Sequence, residues 1–320
     1  MQSKGDTINI KTIDWSRYIV YIAFVVMFIF FAFWLGDKGF LTVNNILNIT
    51  RQTAMISIMA VAMTFVISAA QIDLSVGSIA ALSSLVCALT LQYTGSGVFA
   101  VFLAIILGIG IGTLNGWLTT KFGIPAFLVT LGMMGVIRGI AMWLTNTAAV
   151  PISDDAFNTL FGLGHVGGIP VLFVWTILFV VFGVILLNKT PFGRKVLATG
   201  GNEMAAKFTG INTNRVKLMG FLMSGAFAAF AGILYAGRMQ AGRYTFGDGD
   251  ELNVIAAVIL GGTAMAGGTG SVFGAFIGSL LIGMINNGLM LGGLSVSQQM
   301  IVRGVIIILA VLLSNVSRKK

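Results

Sequence analysis

The chain has 320 residues, of which 57% are hydrophobic and only 9% charged. Soluble domains carry about 25% charged residues, so a mean hydropathy of +0.97 excludes both a soluble globular protein and a disordered one. The net charge of +9 then reads as a positive-inside bias in a membrane protein rather than as a nucleic-acid surface.

A spanning helix needs about 20 mainly apolar residues. The first candidate, 17–36, follows a polar tail holding Lys4, Lys11 and Arg17. It has no small-residue cleavage site, so it is expected to stay as a spanning helix. Thr42 to Leu47 is expected to form a short interfacial helix capped by Thr42. Nine further spans are predicted at 52–70, 75–93, 97–119, 126–144, 170–188, 218–237, 252–265, 272–291 and 298–315. The span at 252–265 is short and ends in Gly261-Gly262, the pattern of a broken or re-entrant element buried in protein.

Ten crossings with a cytoplasmic N-terminus place thirteen cations inside: Lys4, Lys11, Arg17, Lys121, Lys189, Arg194, Lys195, Lys207, Arg215, Lys217, Arg318, Lys319 and Lys320. Only Lys38, Arg51, Arg238 and Arg243 fall outside, with the acids Asp37, Asp154, Asp155, Asp248, Asp250 and Glu251. Arg138 and Arg303 lie within spans. The bias fixes N-in and C-in. The expectation is one all-α polytopic membrane domain over 1–320, with a cytoplasmic tail at 1–16 and a cytoplasmic loop at 189–217. GxxxG spacings at Gly108/Gly112/Gly116, Gly135/Gly139, Gly274/Gly278 and Gly288/Gly292 predict close helix packing.

Catalytic and cofactor chemistry finds few residues to use. Cys87 and His165 each stand alone, which leaves no disulfide, zinc or haem set. Gly162-Leu-Gly164-His-Val-Gly167 matches a dinucleotide motif only literally, without a strand before it or a helix after it. Gly262-Thr-Ala-Met-Ala-Gly267-Gly268-Thr269 resembles a P-loop but lacks the phosphate-binding lysine. Asn48-Ile-Thr50 fits a glycosylation sequon, a signal common by chance. Asp73 is the one acid near a span, whereas ion-coupled carriers use intramembrane acids or an ion site. A polytopic chain without an energy source points to a partner that supplies one.

The loop 189–217 carries six cations and one acid. Asn202 to Phe208 fits a short helix, with Asn202 as N-cap, Glu203 at its positive end and Gly210 terminating it. Gly200 and Gly201 are expected to allow a sharp turn into it. Ala205 and Ala206 leave a face able to sit in another protein's groove.

Four stretches then make the chain resemble the membrane permease subunits of ribose-type ATP-binding-cassette importers, from about Phe40 to Leu313. They are Ala69-Ala70-Gln71-Ile72-Asp73-Leu74-Ser75-Val76-Gly77-Ser78, the loop around 190–212, Ala256 to Gly270, and Asn286-Asn287-Gly288-Leu289. Branched-chain amino acid permeases look similar in the loop, but the Ile-Asp-Leu-Ser-Val-Gly run favours the sugar branch.

The resemblance implies a compact importer permease in the bacterial inner membrane that binds no cofactor itself. It implies ATP and magnesium in a partner ATPase, a periplasmic or lipid-anchored sugar-binding protein, and a second permease subunit, identical or different. Gly193, Gly200, Gly201, Asn202, Glu203, Ala205, Ala206, Lys207 and Gly210 would form the ATPase-coupling segment, with Ala205, Ala206 and Lys207 facing the ATPase. Gln71, Asp73 and Ser75 would cap the third helix, or gate. Read from their own chemistry, Asn115, Asn286 and Asn287 tie helices together or line the pathway, and Arg138 either snorkels or faces a watery cavity. Trp117, Trp143 and Trp175 read as interfacial anchors, and the outer acids as solvated or facing the binding protein. Rival readings are import of a nucleoside, a branched-chain amino acid or a furanose signal molecule, or a secondary carrier. No enzyme activity is expected in the chain.

Overall fold

The computed structural model describes residues 19–295, 297–302 and 304–305. The tail 1–16, Arg303 and most of the predicted last span lie outside the described residues. The described part of that span is helical.

The chain runs through α1 (Ile19–Leu35), α2 (Val43–Ser68), α3 (Val76–Thr94), α4 (Gly97–Phe122) and α5 (Ala126–Leu144). A small outer cap follows, with β1 (Val150–Pro151), α6 (Asp155–Asn158), β2 (His165–Val166) and β3 (Ile169–Pro170). Then come α7 (Val171–Lys189), α8 (Pro191–Gly201), α9 (Glu203–Phe208), α10 (Thr213–Met239), β4 (Ala241–Gly242), α11 (Asp250–Leu260) and α12 (Val272–Leu291). Among the described residues eight helices are long and apolar enough to cross a membrane. Two of the ten predicted spans are therefore absent from that set. One is the last span. The other is 252–265, whose helix α11 has only 11 residues.

α10 is the central post, packed against α2, α3 and α4, while α12 packs on α2, α11 and α1. The closest seam joins α4 to α10. A Cβ on Gly108, Gly112 or Gly225 would strike the backbone of the opposite helix, so these helices touch main chain to main chain. Gly274 and Gly278 likewise back onto Gly261, just past α11, and onto Ala257 within it. Gly135 and Gly139 differ, for nothing lies within 4 Å of the Cβ that either would carry. Their spacing predicts a packed face, and within this chain that face is open.

Thr42 does cap a helix, accepting from Asn45 N at 3.3 Å. That helix is not a separate interfacial piece, because it runs unbroken to Ser68. The polar residues that suggested a break have a local use: Asn45 and Asn287 exchange amide hydrogen bonds of 3.1 and 3.0 Å, which satisfies both where water is scarce.

Candidate functional site

Two regions gather the predicted residues. The first lies at the end of the bundle that carries the basic loop, the inner end by the cation distribution. Thr190 caps α8, accepting from Gly193 N at 3.3 Å, with Pro191 at the first helical position. That pairing is a strong helix start, and it makes 191–201 a helix where the sequence reading had only loop. Gly193, Val196 and Thr199 are buried, while Arg194 and Lys195 are exposed. Phe192 stacks on Phe65 of α2 at 6.0 Å.

Asn202 stands between the two short helices with φ −154° and caps α9, accepting from Ala205 N at 3.0 Å. Gly210 (φ +83°) ends the turn, donating its N–H to the Lys207 carbonyl at 3.0 Å. Glu203 is the fastener of the segment. Its carboxylate accepts from Lys217 Nζ at 2.7 Å and from Thr213 Oγ1 at 3.1 Å, and it pairs with Lys207 at 3.0 Å. The Lys217 hydrogen bond, aided by Lys207 and only partly opposed by burial, lowers its pKa to about 2.

Two expectations for this region change, and two residues are added. Gly200 and Gly201 lie inside α8 rather than at a sharp turn. Gly200 is needed for space: a Cβ there would strike the Ser68 carbonyl oxygen and stand 2.8 Å from Gly268 N. Ala206 is buried at 4% exposure, so it faces the bundle and not a partner. The exposed residues of α9 are Met204 (61%), Ala205, Lys207 and Phe208 (85%). Met204 and Phe208 were missed, although their i, i+4 spacing places them on one face.

Below α8 lies the glycine-rich segment that follows α11. Gly268 N donates to the Ser68 carbonyl at 3.0 Å, and Ser68 Oγ to the Thr269 carbonyl at 3.4 Å. The end of α2, the end of α8 and the 261–270 segment thus meet through backbone.

The second region is a buried polar chain between α2 and α3. Asp73 Oδ1 accepts from Ser75 N (2.9 Å) and Ser75 Oγ (2.6 Å), and Oδ2 accepts from Ser224 Oγ of α10 at 2.8 Å. Asn115 Nδ2 of α4 donates to Ser75 Oγ at 2.9 Å. All four residues are at most 1% exposed. The sequence predicted Asp73 and Ser75 as one unit and Asn115 apart from them; the fold brings all three together, with Ser224 as an unforeseen fourth member. Gln71 stays out, donating to the neighbouring Ala70 carbonyl at 2.8 Å. Asn286 is half-buried and stands apart from the Asn45–Asn287 pair.

Arg138 does not simply face a cavity. It donates to the Tyr244 carbonyl, and to the Phe246 carbonyl at 2.9 Å, and its Nη2 lies 3.9 Å from Asp248 Oδ1. It ties the segment 243–249 to α5. Two of the outer acids are also engaged. Asp250 Oδ2 accepts from Tyr235 Oη at 2.5 Å, and Asp154 caps α6. His165 contacts Arg51 at 2.7 Å between Nε2 and Nη2. No group of three or more metal-ligating side chains exists among the described residues.

Comparison with known proteins fits this architecture. Residues 45–311 match the family described as branched-chain amino acid transport system / permease component. The ribose import permease of Escherichia coli K12 is 43% identical over 87% of this chain and 88% of its own length. That of Bacillus subtilis 168 is 44% identical over 87% of each. The xylose transport system permease of Escherichia coli K12 is 29% identical over 99% of this chain and 96% of its own. No solved structure matches. The chain belongs to the branched-chain amino acid transport system / permease component family and is a multi-pass inner-membrane protein.

Proposed function

We propose that this chain is the permease subunit of an ATP-binding-cassette importer that carries a ribose-like monosaccharide inward. Relatives named for ribose and xylose cover most of the chain, and they favour a sugar over an amino acid, a nucleoside or a furanose signal molecule. The work comes from a separate ATPase, which holds ATP and magnesium. This chain binds no nucleotide and catalyses no reaction. A sugar-binding protein delivers the solute outside, and a second permease subunit completes the pathway. The 1–320 chain acts as one membrane domain.

The observation that carries this reading is the α8–α9 elbow. It presents Met204 and Phe208 to the cytoplasm on a helix fastened by Glu203. Its rear face rests through backbone on Ser68 and Gly268. A push on α9 by a closing ATPase therefore reaches α2, and the segment joining α11 to α12, without passing through flexible side chains. The buried chain Asn115–Ser75–Asp73–Ser224 holds the α2–α3 turn to α4 and α10, so these helices shift as one body between outward and inward access.

The test is reconstitution of the chain with its ATPase and binding protein in proteoliposomes. Labelled ribose enters only with ATP and both partners. Phe208→Ser abolishes co-purification of the ATPase and uptake together. Uptake by the permease alone, driven by an ion gradient, overturns the reading in favour of a secondary carrier.

A further inference from the structure

α10 serves as a depth gauge. Its 27 residues span about 40 Å at 1.5 Å per residue. Lys217 meets Glu203 near the inner end, and Arg238 donates to the Arg51 carbonyl near the outer end. Between them, Ser224 holds Asp73 and Gly232 backs onto Ala80. Gly77 lies between Asp73 and Ala80 in the chain, so its level is close to the middle of α10. Gly247 backs onto Gly77, for a Cβ on Gly247 would stand 2.6 Å from Gly77 O. The segment after β4 therefore descends from the outer end to the centre of the bundle, and α11 completes the crossing from there.

α5 reaches the same segment from farther out. Thr130 donates to the Ile72 carbonyl. Arg138 lies eight residues beyond it, about 12 Å farther out, with a side chain that reaches the descending segment.

At that depth the Asp248 side chain is 85% exposed. A carboxylate facing lipid there is costly, and irregular backbone at membrane depth is tolerated only in protein or beside water. Beside Arg138, Gly132, Gly135 and Gly139 have open space where side chains would stand, which leaves a low surface.

We propose that Asp248 and Arg138 form a polar step in an aqueous groove along α5, and that a sugar crossing the bilayer is handed over there through its hydroxyl groups. The carboxylate accepts from hydroxyls and the guanidinium donates to them. A neutral polyol suits this pairing because each of its hydroxyls both donates and accepts. The assignment of a sugar rests on the importer reading above.

Cysteine labelling tests the groove directly, because the single native cysteine, Cys87, is fully buried. Asp248→Cys is made in the complete complex in proteoliposomes and treated from outside with a membrane-impermeant thiosulfonate. Leu178→Cys, exposed in the middle of α7, is the lipid-facing control. The expected result is reaction at Asp248→Cys at least tenfold faster than at the control, slowed about tenfold by ribose-loaded binding protein. Equal rates at the two positions in every nucleotide state overturn the proposal, as does a fast rate that ribose leaves unchanged. If the wild-type complex takes up no ribose, the sugar reading fails, and the labelling rates still report whether the groove holds water.

Discussion

Gly200 and Gly201 are adjacent glycines in the last turn of one helix, yet they answer differently to a single methyl group. Replacing a helical glycine by alanine gains about 1 kcal/mol at either position. At Gly201 the nearest atom to the new Cβ is Gly268 Cα at 3.6 Å, an ordinary contact, so Gly201→Ala is neutral or stabilising. At Gly200 the Cβ strikes Ser68 O and stands 2.8 Å from Gly268 N. Both neighbours are backbone and neither can rotate away. Overpacking of this kind costs about 1–3 kcal/mol, and prising the segments apart weakens the 3.0 Å bond from Gly268 N to Ser68 O, worth about 1 kcal/mol more. The two variants should differ by about 2–4 kcal/mol. Thermal unfolding in detergent then shows Gly200→Ala several degrees below Gly201→Ala. In proteoliposomes Gly200→Ala loses at least tenfold in ATP-driven uptake while Gly201→Ala stays within twofold. Equal stability and equal uptake in the two variants refute the claim that this junction carries motion by close backbone contact.

Glu203→Gln should lower the stability of the α8–α9 elbow at neutral pH. Because the folded pKa is depressed from 4.5 to about 2, the charged form stabilises the fold above pH 4.5, and that contribution disappears as pH falls towards 2. The carboxylate is 35% exposed, and solvent screening reduces its worth to about 1 kcal/mol. The gap in unfolding temperature between wild type and Glu203→Gln, open at pH 7, should therefore close near pH 2; a gap that widens on acidification contradicts the ion-pair account. Asn45→Ala and Asn287→Ala should each cost about 1 kcal/mol, and the double variant about the same as either single one, since each amide serves the other. Additive losses in unfolding measurements would show that the two side chains act independently. Ser224→Ala removes a donor from buried Asp73 and should destabilise by about 1–3 kcal/mol, whereas Ser83→Ala, whose buried hydroxyl has no hydrogen-bond partner, should cost less.

The sequence was most informative where the cause of a structure is local. The Thr42 and Asn202 caps, the shortness of 252–265 and the Asp73–Ser75 turn all depend on residues a few positions apart. The same locality misled at α8, where Gly193, Gly200 and Gly201 look like loop residues but are small because other backbones press on them. Distance in the chain hid the rest. Ser224 is 151 residues from Asp73, and the carbonyls that Arg138 grips lie over 100 residues away. The run Gly-Asp-Gly-Asp-Glu at 247–251 reads as a solvated outer loop by composition alone. Its contacts with Gly77 and with Arg138 reveal its depth.

The half-length of α11 also bears on how the protein is made. Eleven residues beginning with Asp250 and Glu251 cannot leave the translocation channel for lipid as a conventional span would. The segment from β4 to Leu260 needs walls already in place: α3 for Gly247, Tyr235 of α10 for Asp250, and α12 for Gly261. Membrane insertion of this stretch must therefore wait until α12 has been synthesised, although α10 emerges well before. Truncation after Leu260 should leave α11 outside the bilayer, and a ribosome that stalls there would expose to quality control a segment too short to span the membrane.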